Sequence, residues 1–142
     1  MLEFIKRGII PIGAYCAPQC PRGELKNRVT PEQYRIAKDC GVDIMYGHSE
    51  VVGTPTEEYV FEALRCCEEV GIKYYVKDVI ALEYLALEDS EKYKSYKELT
   101  AEEKADLNAR FEKSLKRYRD YAAFGGITFS DEPGYDSLDG IA

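Results

Sequence analysis

The sequence predicts an α/β fold in which parallel βαβ units form half of a (β/α)₈ TIM barrel. Short apolar runs alternate with amphipathic helical segments, glycines separate the two, and polar side chains gather where the apolar runs end. Such alternation is typical of right-handed βαβ units and a parallel sheet. A complete barrel needs about 250 residues. We therefore expect one domain over residues 1–142, a partial barrel with strands 1–4, three helices and the start of a fourth helix.

The first βαβ unit begins with the apolar run Ile9–Tyr15, which predicts a buried strand. A Pro- and Cys-bearing loop follows, and the next helix is predicted to open at Thr30. The Thr30 hydroxyl suits an N-cap, Pro31 suits the first helical position, and Gln33 has the spacing of a capping box. Gly41 then supplies the left-handed residue that commonly ends a helix.

The second unit repeats the same signals. Val42–Gly47 is the predicted second strand, and a helix is expected to open at Thr54–Glu57, where threonine and proline recur. Apolar residues at helical spacing form its inward side. Gly71 ends this helix as Gly41 ended the first, and Ile72–Val76 is the predicted third strand.

The third connection is longer and rich in tyrosine and acidic residues. It includes a possible short helix around Ile80–Leu87, and a capping box at Thr100–Glu103 opens a long helix. Gly125-Gly126 is expected to close that helix before the fourth strand, Ile127–Ser130. Asp136–Ala142 resembles the opening of a further helix.

A Rossmann or flavodoxin-like sheet is the main competing fold. Its phosphate-binding glycines between the first strand and first helix are missing, because that loop carries Pro18, Pro21 and Gly23 instead. Barrels place their chemistry at the carboxyl ends of the strands. Polar or aromatic side chains stand at those ends in this chain: Tyr15, His48, Glu50, Asp78, Asp131 and Glu132.

Composition restricts the partners that we expect. The net charge of −7 disfavours nucleic acid and anionic membranes as partners, and no apolar stretch reaches the ~18 residues of a membrane span. Five cysteines without an export signal favour reduced thiols in the cytoplasm, unless an upstream signal was removed. Cys16 and Cys20 lack a second pair or nearby histidine, so we expect no structural metal and no cofactor.

Glu132 is the candidate catalytic residue. Pro133 restricts the backbone of Glu132 to extended conformations, which fixes the direction of its carboxyl group at the strand end. The alternative is that Glu132–Tyr135 is only a type II turn, with proline followed by glycine.

Ser130-Asp131-Glu132-Pro133-Gly134, after a fourth parallel strand, resembles the TIM-barrel glycoside hydrolases of clan A, β-galactosidase-like enzymes among them. Ile12–Tyr15, Thr30–Tyr34 and Gly41–Asp43 also resemble less characterised relatives that use Asp-Glu-Pro. The resemblance implies that Glu132 is the general acid/base. Asp131 replaces the clan's usual asparagine, which contacts the sugar 2-hydroxyl. The clan's nucleophile follows a seventh strand, which this chain does not contain.

The resemblance implies a carbohydrate ligand. Glycosidases need two carboxyl groups, so we expect the chain alone to lack turnover. We also expect a homodimer or larger assembly, which covers the exposed edges of the first and fourth strands. The predicted substrate-binding residues are Tyr15, His48, Glu50, Asp78 and Asp131, although Glu50 and Asp78 could be solvated loop acids and His48 could be structural.

Two other functions fit the same residues. A metal-dependent sugar isomerase or epimerase would use His48, Glu50, Asp78 and Glu132 as ligands of a divalent cation. A non-catalytic half-barrel would bind carbohydrate without converting it.

Overall fold

The chain forms a four-stranded parallel sheet with helices in the connections. The structure, a computed structural model, describes residues 8, 10–84 and 96–129. The strands are adjacent in chain order, β1-β2-β3-β4, and every pair is parallel. This confirms the predicted α/β class and parallel sheet. The strand bounds are β1 Gly13–Ala14, β2 Ile44–Tyr46, β3 Lys73–Lys77 and β4 Phe124–Thr128.

Helices occupy each connection between consecutive strands. They are α1 Pro31–Asp39, α2 Glu57–Val70, the short α3 Val79–Glu83, a 3₁₀ turn Tyr96–Glu98, and α4 Ala101–Leu115. None of the helices in the described part of the chain has the length and apolar character needed to cross a membrane.

The predicted helix starts are only partly confirmed. Thr100 and Glu103 form the full capping box: the Thr100 hydroxyl accepts from the Glu103 amide at 3.2 Å, and the Glu103 carboxylate accepts from the Thr100 amide at 2.7 Å. Thr30 is the N-cap of α1, but its side chain makes no capping hydrogen bond. The second helix begins at Glu57 with Thr56 as its N-cap, and Thr54 lies in the preceding turn, where its hydroxyl donates to the Val51 carbonyl and accepts from the Thr56 amide.

Both predicted glycine stops are confirmed. Gly41 (φ 89°) follows α1, and Gly71 (φ 74°) ends α2 in the left-handed region that glycine adopts without a Cβ penalty. Each glycine redirects the chain into the strand that follows.

The predicted role of Gly125-Gly126 was wrong. The last helix ends at Leu115, and β4 begins at Phe124 and contains both glycines. A Cβ on either glycine would lie 2.8 Å from the Tyr75 ring, so this ring needs two residues without side chains beside it. The β3–β4 ladder shifts register at this place, between Tyr74 and Tyr75. Packing across the sheet, and not helix termination, accounts for the glycine pair.

The helices pack on one face of the sheet, which we call the helix-covered face. Tyr74 and Val76 of β3 are fully buried there, in one cluster with residues such as Tyr34 of α1 and Leu64 of α2. Because side chains alternate along a strand, the residues between them point to the opposite face. The residues of this second face include Gly13, Tyr46, Tyr75, Lys77 and Thr128.

Candidate functional site

The carboxyl ends of the four parallel strands lie at one edge of the sheet, the rim. Tyr15 follows β1 directly and is 57% exposed, and the exposed His48 lies two residues after β2. Their rings meet edge to face, with centroids 6.5 Å apart. The structure therefore brings together two of the residues that the sequence predicted as ligand contacts.

Two tyrosines extend this aromatic surface down the second face. The rings of Tyr46 and Tyr75 lie with their centroids 5.0 Å apart, and both residues are half-buried. Gly13 leaves room beside them, because a Cβ there would lie 3.3 Å from the Tyr46 ring. Neither tyrosine was among the predicted site residues. Their alternation with the buried Met45 and Tyr74 was the available signal.

Glu50 does not reach the second face. It is completely buried, and its carboxylate accepts hydrogen bonds from the Tyr74 hydroxyl and from the amide and hydroxyl of Ser49, the latter at 3.1 and 2.9 Å. Burial, followed by the nearby Glu50, raises the pKa of the Tyr74 phenol well above its ordinary value, so Tyr74 remains a donor. Glu50 thus ties the loop after β2 to the buried side of β3.

Asp78 is also completely buried. One of its oxygens accepts from the Ile80 amide at 2.8 Å and thereby caps α3; the other accepts from the Ser114 and Tyr118 hydroxyls at 2.6 and 2.8 Å. Burial is the main cause of a raised Tyr118 pKa, and the hydrogen bond to Asp78 adds to it. Asp78 fastens the end of β3 to the α4 region.

These contacts bear on the predicted substrate-binding roles of Glu50 and Asp78. Both carboxylates are enclosed and their oxygens are occupied by internal donors, a state that favours a structural role. A ligand role stays an untested prediction for each. The structure excludes the alternative that they are solvated loop acids, because both side chains are buried.

Asp131 and Glu132 lie outside the described residues, so their predicted roles stay predictions. Within the described part of the chain, no three His, Cys, Asp or Glu side chains converge in a way that would hold a metal ion. His48, Glu50 and Asp78 therefore do not form the cation site that an isomerase needs.

Lys77 ends β3 on the second face and is half-buried. Among the described residues it forms no side-chain hydrogen bond or ion pair. Lys73, four residues earlier on the same face, instead donates to the Ala122 carbonyl at 2.6 Å. Sequence reasoning did not select Lys77, although its position immediately before Asp78 at a strand end was visible.

Two buried hydroxyls have no partner among the described residues. They belong to Tyr34, in the core, and Thr128, the last residue of β4 on the second face. A buried unsatisfied polar group typically costs about 1–3 kcal/mol. Most such groups in native proteins are paired, so each exception calls for a physical account.

Two adjacent cysteines of α2 are kept unreactive by burial. All five are free thiols, and Cys66 and Cys67 are buried in α2. Burial raises the pKa of the Cys66 thiol to about 11 and shifts that of Cys67 upward as well. These two thiols remain protonated near neutral pH and are poor nucleophiles.

Comparisons of the chain with protein-family models, with curated proteins and with solved structures gave no match.

Proposed function

We propose that this chain is the front half of a glycoside-hydrolase-type (β/α)₈ barrel, which binds carbohydrate at its rim and lacks turnover by itself. The single observation that carries the proposal is the strand order, β1-β2-β3-β4 with all neighbours parallel. A barrel requires this order, because each βαβ unit adds the next strand on the same side of the last.

The order also argues against a doubly wound sheet. In those folds the chain reverses direction across the sheet, so that the first strand lies in the interior and ligands bind at the switch point. Here β1 and β4 are the two edges. The helices α1 and α2 contribute to one core cluster with β3 on a single face, as an outer helical layer does in a barrel.

Strand direction supports the proposed place of the acid/base. β4 ends at Thr128 beside the end of β3, so the chain leaves the sheet at the same rim that carries Tyr15 and His48. Glu132 follows four residues later in sequence. We assign it the general acid/base role on its resemblance to clan A, and Asp131 a sugar contact on the same ground.

The aromatic surface supports a carbohydrate ligand. Tyr15 and His48 at the rim, with Tyr46 and Tyr75 on the second face, present flat rings of the kind on which sugar rings stack. The isomerase alternative has less support, because three of its four proposed ligands do not converge.

The experiment is a titration of the purified chain with methyl glycosides and small oligosaccharides, in which NMR chemical shifts of the backbone amides report binding. Binding should perturb residues around Tyr15, His48 and Tyr75. Tyr15→Ala should weaken binding about tenfold, whereas Tyr15→Phe, which keeps the ring, should bind almost as well as the parent chain. The same preparation should not hydrolyse aryl glycosides at rates near 1 per second.

Two results would contradict the proposal. Shifts confined to residues of the helix-covered face, or no binding at all, would remove the carbohydrate ligand. Hydrolysis at ordinary enzyme rates would mean that this chain contains its own second carboxyl group, and the half-barrel interpretation would be wrong.

A further inference from the structure

Lys77 and Thr128 are neighbours at the rim end of the second face. They are the last residues of β3 and β4 and are partners in the parallel ladder. Paired residues of adjacent strands point to the same face, with backbones about 4.8 Å apart. The ladder thus places Lys77 and Thr128 side by side on the face that also carries Tyr75 and Tyr46.

The side chain of Lys77 is available, unlike several other cations of this acidic chain. Arg110 and Arg117 are each engaged by a glutamate through two hydrogen bonds, with Glu83 and Glu57 respectively. Lys77 has no such partner in residues 8, 10–84 and 96–129, despite 26 acidic residues in the sequence. The nearest acidic residue in sequence, Asp78, points to the helix-covered face and is held there by Ser114 and Tyr118.

Thr128 supplies a second and independent observation. Its hydroxyl oxygen is shielded from solvent and has no hydrogen-bond partner within the described ranges. Thr128 is the ladder partner of Lys77, so the two side chains leave the sheet on the same side. The Thr128 hydroxyl and the Lys77 ammonium group are both hydrogen-bond donors without an acceptor in the part of the chain that the structure describes. An anionic oxygen is an acceptor that suits both.

We propose that Lys77 and Thr128 form a subsite for an anionic substituent, a carboxylate or a phosphate, on the carbohydrate ligand. The Lys77 ammonium group makes a charge-assisted hydrogen bond to one anionic oxygen, and the Thr128 hydroxyl turns to donate to the same group. The sugar ring then lies against Tyr75 and Tyr46. The sugar part of this inference rests on the proposed function; the anion-binding pair does not.

The test compares four probes by calorimetry on the full chain at one fixed ionic strength: glucose, glucuronate, glucose 6-phosphate and inorganic phosphate. An acidic sugar should bind at least tenfold more tightly than glucose. Lys77→Gln should abolish that preference and leave glucose binding unchanged, and Thr128→Val should reduce the preference several-fold.

Lys73→Gln is the matched control. It removes the same charge from the same strand and face, but Lys73 is already bonded to the Ala122 carbonyl. This variant should keep the preference for acidic sugars. If Lys73→Gln and Lys77→Gln weaken the preference for acidic sugars equally, the preference arises from the overall charge of the face, and the proposed subsite is wrong. Circular dichroism of each variant verifies that it is folded.

The remaining outcomes separate this inference from the proposed function. Lys77-dependent binding of inorganic phosphate, with no added affinity from any sugar, would support the anion subsite while the carbohydrate function fails. Equal affinity for glucose and glucuronate, unaltered in Lys77→Gln, would overturn the subsite while the carbohydrate function stands. Absence of binding by all four probes would overturn both.

Discussion

The two faces of the sheet differ in whether the polar side chains at the strand ends have hydrogen-bond partners. On the helix-covered face, the buried carboxylates of Glu50 and Asp78 are each enclosed by internal hydrogen-bond donors. On the second face, Lys77 and the Thr128 hydroxyl have no partner among the described residues. A buried polar group that is fully satisfied stabilises one packing arrangement, whereas an unsatisfied one, such as Thr128 on the second face or Tyr34 in the core, calls for a physical account. The comparison favours structural roles for Glu50 and Asp78, whereas the ligand contacts that we propose lie on the second face.

The comparison also changes how the acidic residues at the strand ends are understood. A carboxylate at the rim of a parallel sheet suggests chemistry when only the sequence is known. Asp78 continues the alternation of Tyr74 and Val76, so it belongs to the helix-covered side. A position at the rim is therefore not sufficient to predict a ligand contact. The side chain must also point to the second face, because a side chain on the helix-covered face is buried in the core.

The largest expected effect is on the oligomeric state, and it concerns the two edge strands on either side of the second face. β1 and β4 are unpaired on their outer sides in the described structure, and Ile10, just before β1, is 89% exposed. A two-fold partner can pair β4 of one copy with β1 of the other and close a barrel. We expect light scattering to give twice the chain mass of 16.1 kDa at micromolar concentration.

Charge at the edge should disrupt this assembly. Ile10→Lys should shift the protein to the monomer, because a buried lysine at the joint is costly. Ile36→Lys is the control, since Ile36 is 51% exposed on α1, away from the edge, and should leave the dimer intact. A monodisperse 16.1 kDa particle for the parent chain would show that the second face needs no partner copy.

The next largest effect is on the free energy of unfolding, and it concerns the helix-covered face alone. Asp78→Ala should lower the free energy of unfolding by about 3 kcal/mol, because it removes the cap of α3 and leaves two buried hydroxyls without an acceptor. Asp120→Ala changes a side chain that is 88% exposed and should cost less than about 0.5 kcal/mol. Urea unfolding followed by circular dichroism measures both.

The result for Asp78 also tests its predicted substrate role. If Asp78→Ala leaves stability unchanged but abolishes sugar binding, Asp78 belongs to the ligand site and the distinction between the two faces is wrong.

The smallest expected effect is the difference in stability between variants of two buried tyrosines, Tyr74 and Tyr34. Tyr74→Phe should cost about 2 kcal/mol, because Glu50 loses a buried hydrogen-bond donor. Tyr34→Phe removes a buried hydroxyl that has no partner among the described residues, so stability should stay within about 0.5 kcal/mol or increase slightly. Both changes delete one oxygen from a fully buried ring, which makes each variant the control for the other.

Equal losses in the two variants would show that the Tyr34 hydroxyl is also satisfied, for example by a buried water molecule. The polar groups of the core would then be more completely paired than the hydrogen bonds among the described residues indicate.

Local signals in the sequence were sufficient for the class of fold and most element positions. Gly41, Gly71 and the Thr100–Glu103 capping box act through their own backbone geometry and neighbours a few residues away, so their roles could be predicted. The direction and order of the strands followed from the βαβ repeat. The rim residues Tyr15 and His48 were found because strand ends can be located in a periodic pattern.

Only the tertiary structure decided which polar groups belong to the core and which to the second face. The packing of Gly125-Gly126 against the Tyr75 ring depends on a register shift between strands about 50 residues apart in sequence. The enclosure of Asp78 depends on Ser114, near the end of α4, and on Tyr118, which follows that helix. Contacts between distant residues have no local sequence signature, because they arise from how units pack, and these contacts separate Asp78 from Lys77 although the two are adjacent in the chain.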